Sequence, residues 1–264
     1  MSATESAFEP IDSIRVRLRS ASGEEIRDLV SSLEADPRAG VRALARVVRR
    51  RWARDESETA RLAAMMRHQT ALHAAGFVIV AGTDEVGRGA LAGPVSAGAV
   101  VLDATCRIEG LNDSKKLTPQ RRERIAQEVR RVALAVAVGH VQPTEIDSMG
   151  IGPASRLAMT RALRALAVAV DHVLVDGNDG RVGWPSTSVV KGDALVACIA
   201  AASVVAKVER DALMVVLGAE HPGFGLEANK GYFTEAHKDA ILRLGPSPVH
   251  RRSFAPCNQQ ELLF

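Results

Sequence analysis

Apolar residues recur along this chain at two different periods, and the change falls near residue 75. Before it, Val41, Leu44, Ala45 and Val48 repeat at helical spacing. Asp36-Pro37 has the form of a helix start, with Asp36 as N-cap and Pro37 at the first helical position, and a second helix is expected over 56–75. After it, short apolar runs alternate with amphipathic ones. Strands are predicted at 77–86, 95–102, 134–141, 172–176 and 187–191, the first two forming a hairpin across a Gly/Pro turn. Helices are predicted from the Thr118 cap and Pro119 to about 131, over 152–169, over 193–217, and after a Thr234 cap. The 193–217 segment is apolar nearly all round in its first half, so it belongs in the centre. The expected architecture is α/β, a mixed five-stranded sheet flanked by helices and preceded by a small helical appendage. Its divisions are 1–74 for the appendage, 75–245 for the α/β domain and 246–264 for an extended tail.

Acidic residues stand where these apolar runs end. Asp84-Glu85 closes the first strand, Asp176 closes Val173-Leu174-Val175, and Asp193 opens the apolar helix. A buried carboxylate is costly unless it is paired or bound to metal. Four of them with no Cys or His cluster nearby suit a hard cation with oxygen ligands, Mg²⁺ or Mn²⁺. Neighbouring residues on a regular strand point to opposite faces. Asp84 and Glu85 can therefore serve one ion only if the strand bends at the following Gly87-Arg88-Gly89, or if one of them offers its backbone carbonyl. The glycines also let a backbone approach a ligand closely and present N–H groups to it. The stretch is neither a dinucleotide fingerprint nor a Walker loop.

Composition narrows the class. The net charge is only +3, but basic residues cluster: Arg46, Arg49, Arg50, Arg51 and Arg54 in one segment, Lys115, Lys116, Arg121, Arg122 and Arg124 in another. The first cluster can be a solvated helix face or a phosphate contact. The three cysteines, Cys106, Cys198 and Cys257, form neither a disulfide framework nor a zinc pattern, which fits a reducing, cytoplasmic location. The N-terminal residues lack a signal-peptide pattern and no apolar run is long enough to span a bilayer, so no membrane association is expected.

An ordered set of motifs then resembles bacterial ribonuclease HII. It comprises Asp84-Glu85-Val86-Gly87-Arg88-Gly89 with Leu91-Ala92-Gly93-Pro94-Val95, then Asn112-Asp113-Ser114-Lys115-Lys116-Leu117, Asp176-Gly177-Asn178 and Lys191-Gly192-Asp193. Ala200-Ala201-Ala202-Ser203 through Lys207-Val208-x-Arg210-Asp211, His221-Pro222-Gly223 and Lys230-Gly231-Tyr232-x-Thr234-x-x-His237 complete it, covering about residues 77–256. The resemblance implies a ribonuclease H-like fold and a metal-dependent endonuclease acting on RNA–DNA hybrids and on single ribonucleotides in duplex DNA, working as a monomer. It implies Asp84, Glu85, Asp176 and Asp193 as metal-binding acids, and Gly87, Arg88 and Gly89 as sensors of the 2′-OH. Tyr232 would stack on the deoxyribose beyond the scissile bond, and Ser114 with Lys115 or Lys116 would hold phosphates. Ribonuclease HIII, a related family, carries Glu at the fourth acidic position and a sheet-containing N-terminal domain; Asp193 and the helical N-terminus here argue against it.

Two further expectations follow. The N-terminal helices resemble the extension of longer members of the family and are expected to add substrate affinity through their arginines. Gln260-Glu261-Leu262-Leu263-Phe264 resembles peptides that bind the bacterial sliding clamp, with packing against the protein's own surface as the alternative. His221, His237 and His250 are expected to be structural or solvent-facing rather than metal ligands, since Mg²⁺ does not favour imidazole.

Overall fold

The computed structural model describes residues 9–21 and 23–258. The expected clamp-binding residues 260–264 lie outside them. The chain forms two compact units, residues 1–61 and 62–264, and the division falls inside a helix.

In the first unit, α1 (Ile11–Ser20), α2 (Gly23–Glu34) and most of α3 (Ala39–Met65) enclose a small core of Ile14, Leu18, Leu29, Val30, Leu33, Val41 and Ala45. α3 begins at Ala39, two residues later than the Asp36-Pro37 start expected; Asp36 instead binds the backbone N–H and the guanidinium of Arg38 at 2.8 and 2.9 Å just ahead of the first turn. Instead of two helices parting before residue 56, α3 runs unbroken for 27 residues, since no Gly or Pro lies between Val41 and Met65. The segment 1–74 is divided between the units, because Leu62, Met65 and Met66 lie in the core of the second.

The second unit continues with α4 (Arg67–Ala74), β1 (Val80–Val86), β2 (Val95–Val101), a 3₁₀ turn (Ser114–Lys116) and α5 (Pro119–Val132). Then come β3 (Ala135–Val141), α6 (Pro143–Met149), α7 (Ile151–Arg164), β4 (His172–Asp176) and β5 (Ser186–Val189). Last are α8 (Gly192–Leu195), α9 (Ala197–Glu220), α10 (Leu226–Asn229) and α11 (Glu235–Leu244). The sheet order is β3-β2-β1-β4-β5. β1, β2 and β3 pair antiparallel, while β4 runs parallel to β1 and β5 parallel to β4. One face carries Val80, Val100 and Leu174 against α9 and α5; the other carries Ala81, Ala97, Ala99, Val173 and Val175 against α7.

The caps fall where the side chains allow. Thr118 accepts the Arg121 N–H at the start of α5, and Thr234 accepts the His237 N–H at the start of α11. The helix expected as one piece over 193–217 is two. Val196 takes an extended conformation (φ −127°, ψ 124°) between α8 and α9, a backbone that suits a β-branched residue. The break separates the turn that carries Asp193 from the long helix that crosses the sheet. α6 lies where the sequence pattern predicts no element; Gln142 and Glu145 close its first turn with a reciprocal capping box.

α9 comes unusually near the sheet. A Cβ on Gly82 would strike the backbone of Cys198, and one on Gly98 the backbone of Ala202. Backbone cannot yield as a side-chain tip can, so Gly98→Ala should cost about 2–3 kcal/mol. A fall in the urea midpoint with an unchanged m-value would show it.

Candidate active site

Asp84, Asp176 and Asp193 meet at one end of the sheet, on the α9 face. Thr83 pairs with Val175, which brings Asp84 beside Asp176 at the ends of two parallel strands. Asp193 reaches them from α8, its backbone N–H donating to Asp176 Oδ1 at 3.2 Å. The lead-in residue Lys191 is left-handed (φ 58°), a conformation that costs a non-glycine residue on the order of 1 kcal/mol and turns the chain sharply into Gly192. Asp84 and Asp193 are both buried.

Glu85 stands apart. β1 remains paired with β2 through Val86–Ser96, so no bend occurs between the two adjacent acids. By strand alternation the Glu85 side chain projects to the α7 face, where Arg88 donates to its Oε1 at 3.2 Å.

The electrostatics of the trio are unfavourable as they stand. Burial, together with the charges of Glu85 and Asp176, pushes the Asp84 carboxyl well above its usual range, against a hydrogen bond from Ser203. Burial also raises Asp176, although the backbone N–H groups of Asp193 and Gly192 oppose the rise. Lys115 Nζ lies 3.4 Å from Asp193 Oδ2 with its side chain largely exposed. Among the described residues no group of three His, Cys, Asp or Glu side chains already converges on one point as a metal cage would. The donors are nonetheless all oxygens, and burial and like charge raise two of the three carboxyls, which a cation bound among them would relieve. A divalent cation fits that set once Lys115 swings off Asp193.

The glycines of Gly87-Arg88-Gly89 differ in what they require. Gly87 has φ +83°, and a Cβ there would run into the Arg210 guanidinium. Gly89 is exposed, and a Cβ there would meet nothing. The protein's own packing demands the first glycine but not the second, which leaves open space above the loop for a ligand. Tyr232 joins this loop, its hydroxyl accepting the Gly87 N–H at 3.2 Å. Lys207 Nζ and the Arg210 guanidinium lie over its ring, 5.5 and 5.3 Å from the centroid. Lys115 and Lys116 are exposed on their 3₁₀ turn, whereas Ser114 is buried and its hydroxyl lies 3.0 Å from that of Ser203. Ser114 therefore props the serine that bonds Asp84 and is not turned toward solvent.

Residues 81–257 match ribonuclease HII, and residues 10–73 match the ribonuclease HII N-terminal domain. The chain belongs to the ribonuclease HII family. It is similar to ribonuclease HII of Myxococcus xanthus, 45% identical over 233 residues that cover 88% of this chain and 80% of that one. Against ribonuclease HII of Moorella thermoacetica it is 50% identical over 198 residues, 75% and 96% of the two chains. Among solved structures, ribonuclease H2 from Pyrococcus horikoshii aligns with a TM-score of 0.60 and 27% identity, covering 70% of this chain and 98% of that one. As a family member the protein is an endonuclease of the ribonuclease H type that hydrolyses the RNA strand of RNA–DNA hybrids, in a family that works with divalent metal. No helix among the described residues is long and apolar enough to cross a membrane.

Further supports lie around this ribonuclease HII site. Arg122 donates to the carbonyls of Ser114 and Leu117 and lies 3.7 Å from Asp211, tying the Lys115–Lys116 turn to α9. Lys207 also binds Asp211, at 2.7 Å, as helical spacing allows. Two arginines, Arg210 and Arg251, are wholly buried.

His237 and His250 are buried as well, and their hydrogen bonds fix both tautomers. The Ser247 N–H donates to His250 Nδ1 at 3.0 Å, so the proton of His250 sits on Nε2. That proton is donated to His237 Nε2 at 3.0 Å, and His237 Nδ1–H then donates to the Tyr232 carbonyl at 2.9 Å. The chain of bonds runs from Ser247 to the backbone of Tyr232 and works only with both rings neutral. Burial and the neighbouring His237 hold His250 down to about 4.

This pair sets a pH dependence. The unfolded chain protonates near pH 6.5, whereas folded His250 refuses the proton until about pH 4. Its stabilising contribution is therefore complete above pH 6.5 and is lost as pH falls from there toward 4, by at most roughly 3 kcal/mol. Urea unfolding of wild type and His250→Asn at pH 8 and pH 5 should show a gap between the two proteins that narrows at the lower pH. A gap of constant width would contradict the assignment.

Proposed function

We propose that this enzyme incises duplex DNA on the 5′ side of an embedded ribonucleotide, as well as cutting RNA–DNA hybrids, leaving 3′-hydroxyl and 5′-phosphate ends. Such an activity serves ribonucleotide removal in replication and repair. The observation that carries the reading is the adjacency of the acidic trio to a glycine loop, open above Gly89, that is bonded to Tyr232.

In this reading Asp84, Asp176 and Asp193 hold divalent cation, Mg²⁺ or Mn²⁺, through their side chains, and Glu85, whose side chain lies on the other face with Arg88, contributes its backbone carbonyl. When bound, such ions supply the charge that activates a water and offsets negative charge on the leaving 3′-oxygen. No side chain is needed as nucleophile. Gly87, Arg88 and Gly89 present backbone to the sugar, where the 2′-OH distinguishes RNA from DNA. Tyr232 supports the next deoxyribose, with Arg210 and Lys207 against its ring. Lys115 and Lys116 take phosphates. Contacts to phosphate and sugar leave base identity unread, so cleavage should tolerate any sequence.

The test is cleavage of a labelled duplex containing one ribonucleotide. Wild type should cut at that nucleotide in Mg²⁺ or Mn²⁺, and Asp84→Asn and Asp193→Asn should each lower kcat/KM by roughly 10³-fold. In EDTA, Asp84→Asn should melt no lower than wild type, because it removes a buried like charge. An inert wild type, or variants as active as wild type, would sink the proposal.

The N-terminal unit is assigned a supporting role. Arg46, Arg50 and Arg54 are exposed at four-residue intervals on α3, about 6 Å apart along the helix, forming one cationic stripe. Changing all three to Ala should weaken substrate binding and reduce the slope of log affinity against log salt by up to about 3. An unchanged slope would remove the stripe from the substrate path.

A further inference from the structure

Buried arginines are ordinarily paired with carboxylates. Among the described residues, neither Arg210 nor Arg251 lies within ion-pair distance of one, and each guanidinium is spent on backbone carbonyls. Arg251 donates to Gly87, Arg88 and Gly93 at 2.7, 2.9 and 3.0 Å. Arg210 donates to Pro94, Ala92 and Lys230 at 2.9, 3.1 and 2.9 Å. Five of these six carbonyls belong to the single loop 87–94. The backbone beside Arg251 is tied from both sides as well: Leu91 accepts its N–H at 2.8 Å, and the Gly93 N–H donates to Val249 at 2.8 Å.

Peptide geometry turns this clamp into an orientation. Across a trans peptide the C=O of one residue and the N–H of the next point in opposite directions. With the carbonyls of Gly87 and Arg88 drawn inward to Arg251, the N–H groups of Arg88 and Gly89 face outward. Two adjacent outward donors form a concave binding place for one oxygen. It opens at Gly89, where the protein leaves space.

We propose that Arg251, seconded by Arg210, is the positioning residue for ribose discrimination: its fork holds the 87–94 loop so that the Arg88 and Gly89 N–H groups meet the 2′-oxygen. Arg251 touches no substrate atom and acts through the loop. The inference rests on the reading of Gly87-Arg88-Gly89 as the ribose detector. Lysine cannot replace the residue, since three donors on one nitrogen cannot span three carbonyls held by a planar fork. Phosphate contacts elsewhere continue to hold the duplex, so the defect falls on kcat and on selectivity more than on KM.

The experiment uses the full chain and two duplexes, one with a single ribonucleotide and one with 2′-fluoro at the same position. In Arg251→Lys, kcat on the ribonucleotide duplex should fall by about 100-fold, as for a small misplacement near the chemistry, with KM little changed. The preference for 2′-OH over 2′-fluoro should narrow, and millimolar guanidinium should restore part of the rate in Arg251→Ala. A variant that retains wild-type rate and preference overturns the proposal. Hydrogen exchange on wild type decides independently of whether any variant folds: the Leu91, Ala92 and Gly93 amides should exchange as slowly as those of β1. Fast exchange there would mean the clamp does not hold. Should wild type fail to cut the ribonucleotide duplex at all, the detector reading falls, while exchange still reports on the clamp.

Discussion

The near contact of α9 with the sheet is the constraint on which the rest depends. Two glycines, Gly82 on β1 and Gly98 on β2, let the helix backbone lie almost directly on the strands. At that separation Ser203 reaches Asp84, and two turns later Arg210 reaches the loop that leaves β1. Lys207, between them, falls over Tyr232. One helix thus sets the distance to the acids, the loop and the aromatic ring together. A helix held one side-chain layer farther away would lose all three relations at once, whatever its own sequence.

The same geometry explains why charge can be gathered in the interior. Asp84 lies among like charges and is buried, a combination that opposes folding. The cost is borne by a rigid surround: a regular β1 paired on both sides, the Ser114–Ser203 contact, and backbone N–H groups aimed at Asp176. On the other side of the loop the buried charges are positive and are satisfied by carbonyl dipoles. Burial and the charge of Arg210 press Arg251 down to about 9, which still leaves it protonated at neutral pH. The buried aspartates and the two buried arginines do not pair with each other: the arginines are held by carbonyls, and Asp176 by backbone N–H groups.

Much of this was legible in the sequence because the signals were local. Asp176 and Asp193 each border an apolar run beside a glycine, and strand alternation already separated Asp84 from Glu85. The five strands and the opening hairpin followed from short apolar runs broken by turns, and Thr118 and Thr234 marked their helices, whereas the lateral order β3-β2-β1-β4-β5 left no local mark. What was not legible depended on partners far along the chain. Ser114 looked like a surface hydroxyl in a lysine-rich turn, and only Ser203, 89 residues away, shows it buried. Val196 sat inside an apolar run, so the break before α9 left no mark. Arg251 lay in a segment read as surface tail, since no local pattern announces a guanidinium bound by carbonyls.

The order in which these pieces leave the ribosome follows from their positions. A nascent chain that has reached Asp193 already contains every candidate carboxylate and all five strands. It still lacks Arg210, the Lys230-Gly231-Tyr232 turn and, last of all, Arg251. Synthesis from the N-terminus therefore supplies the acids first, α9 next and the tie on the 87–94 loop last. A fragment ending before residue 251 would own the hydrolytic groups without the tie that tells one sugar from another. Late arrival of the loop's tie is a safeguard only if the early part cannot cut without it.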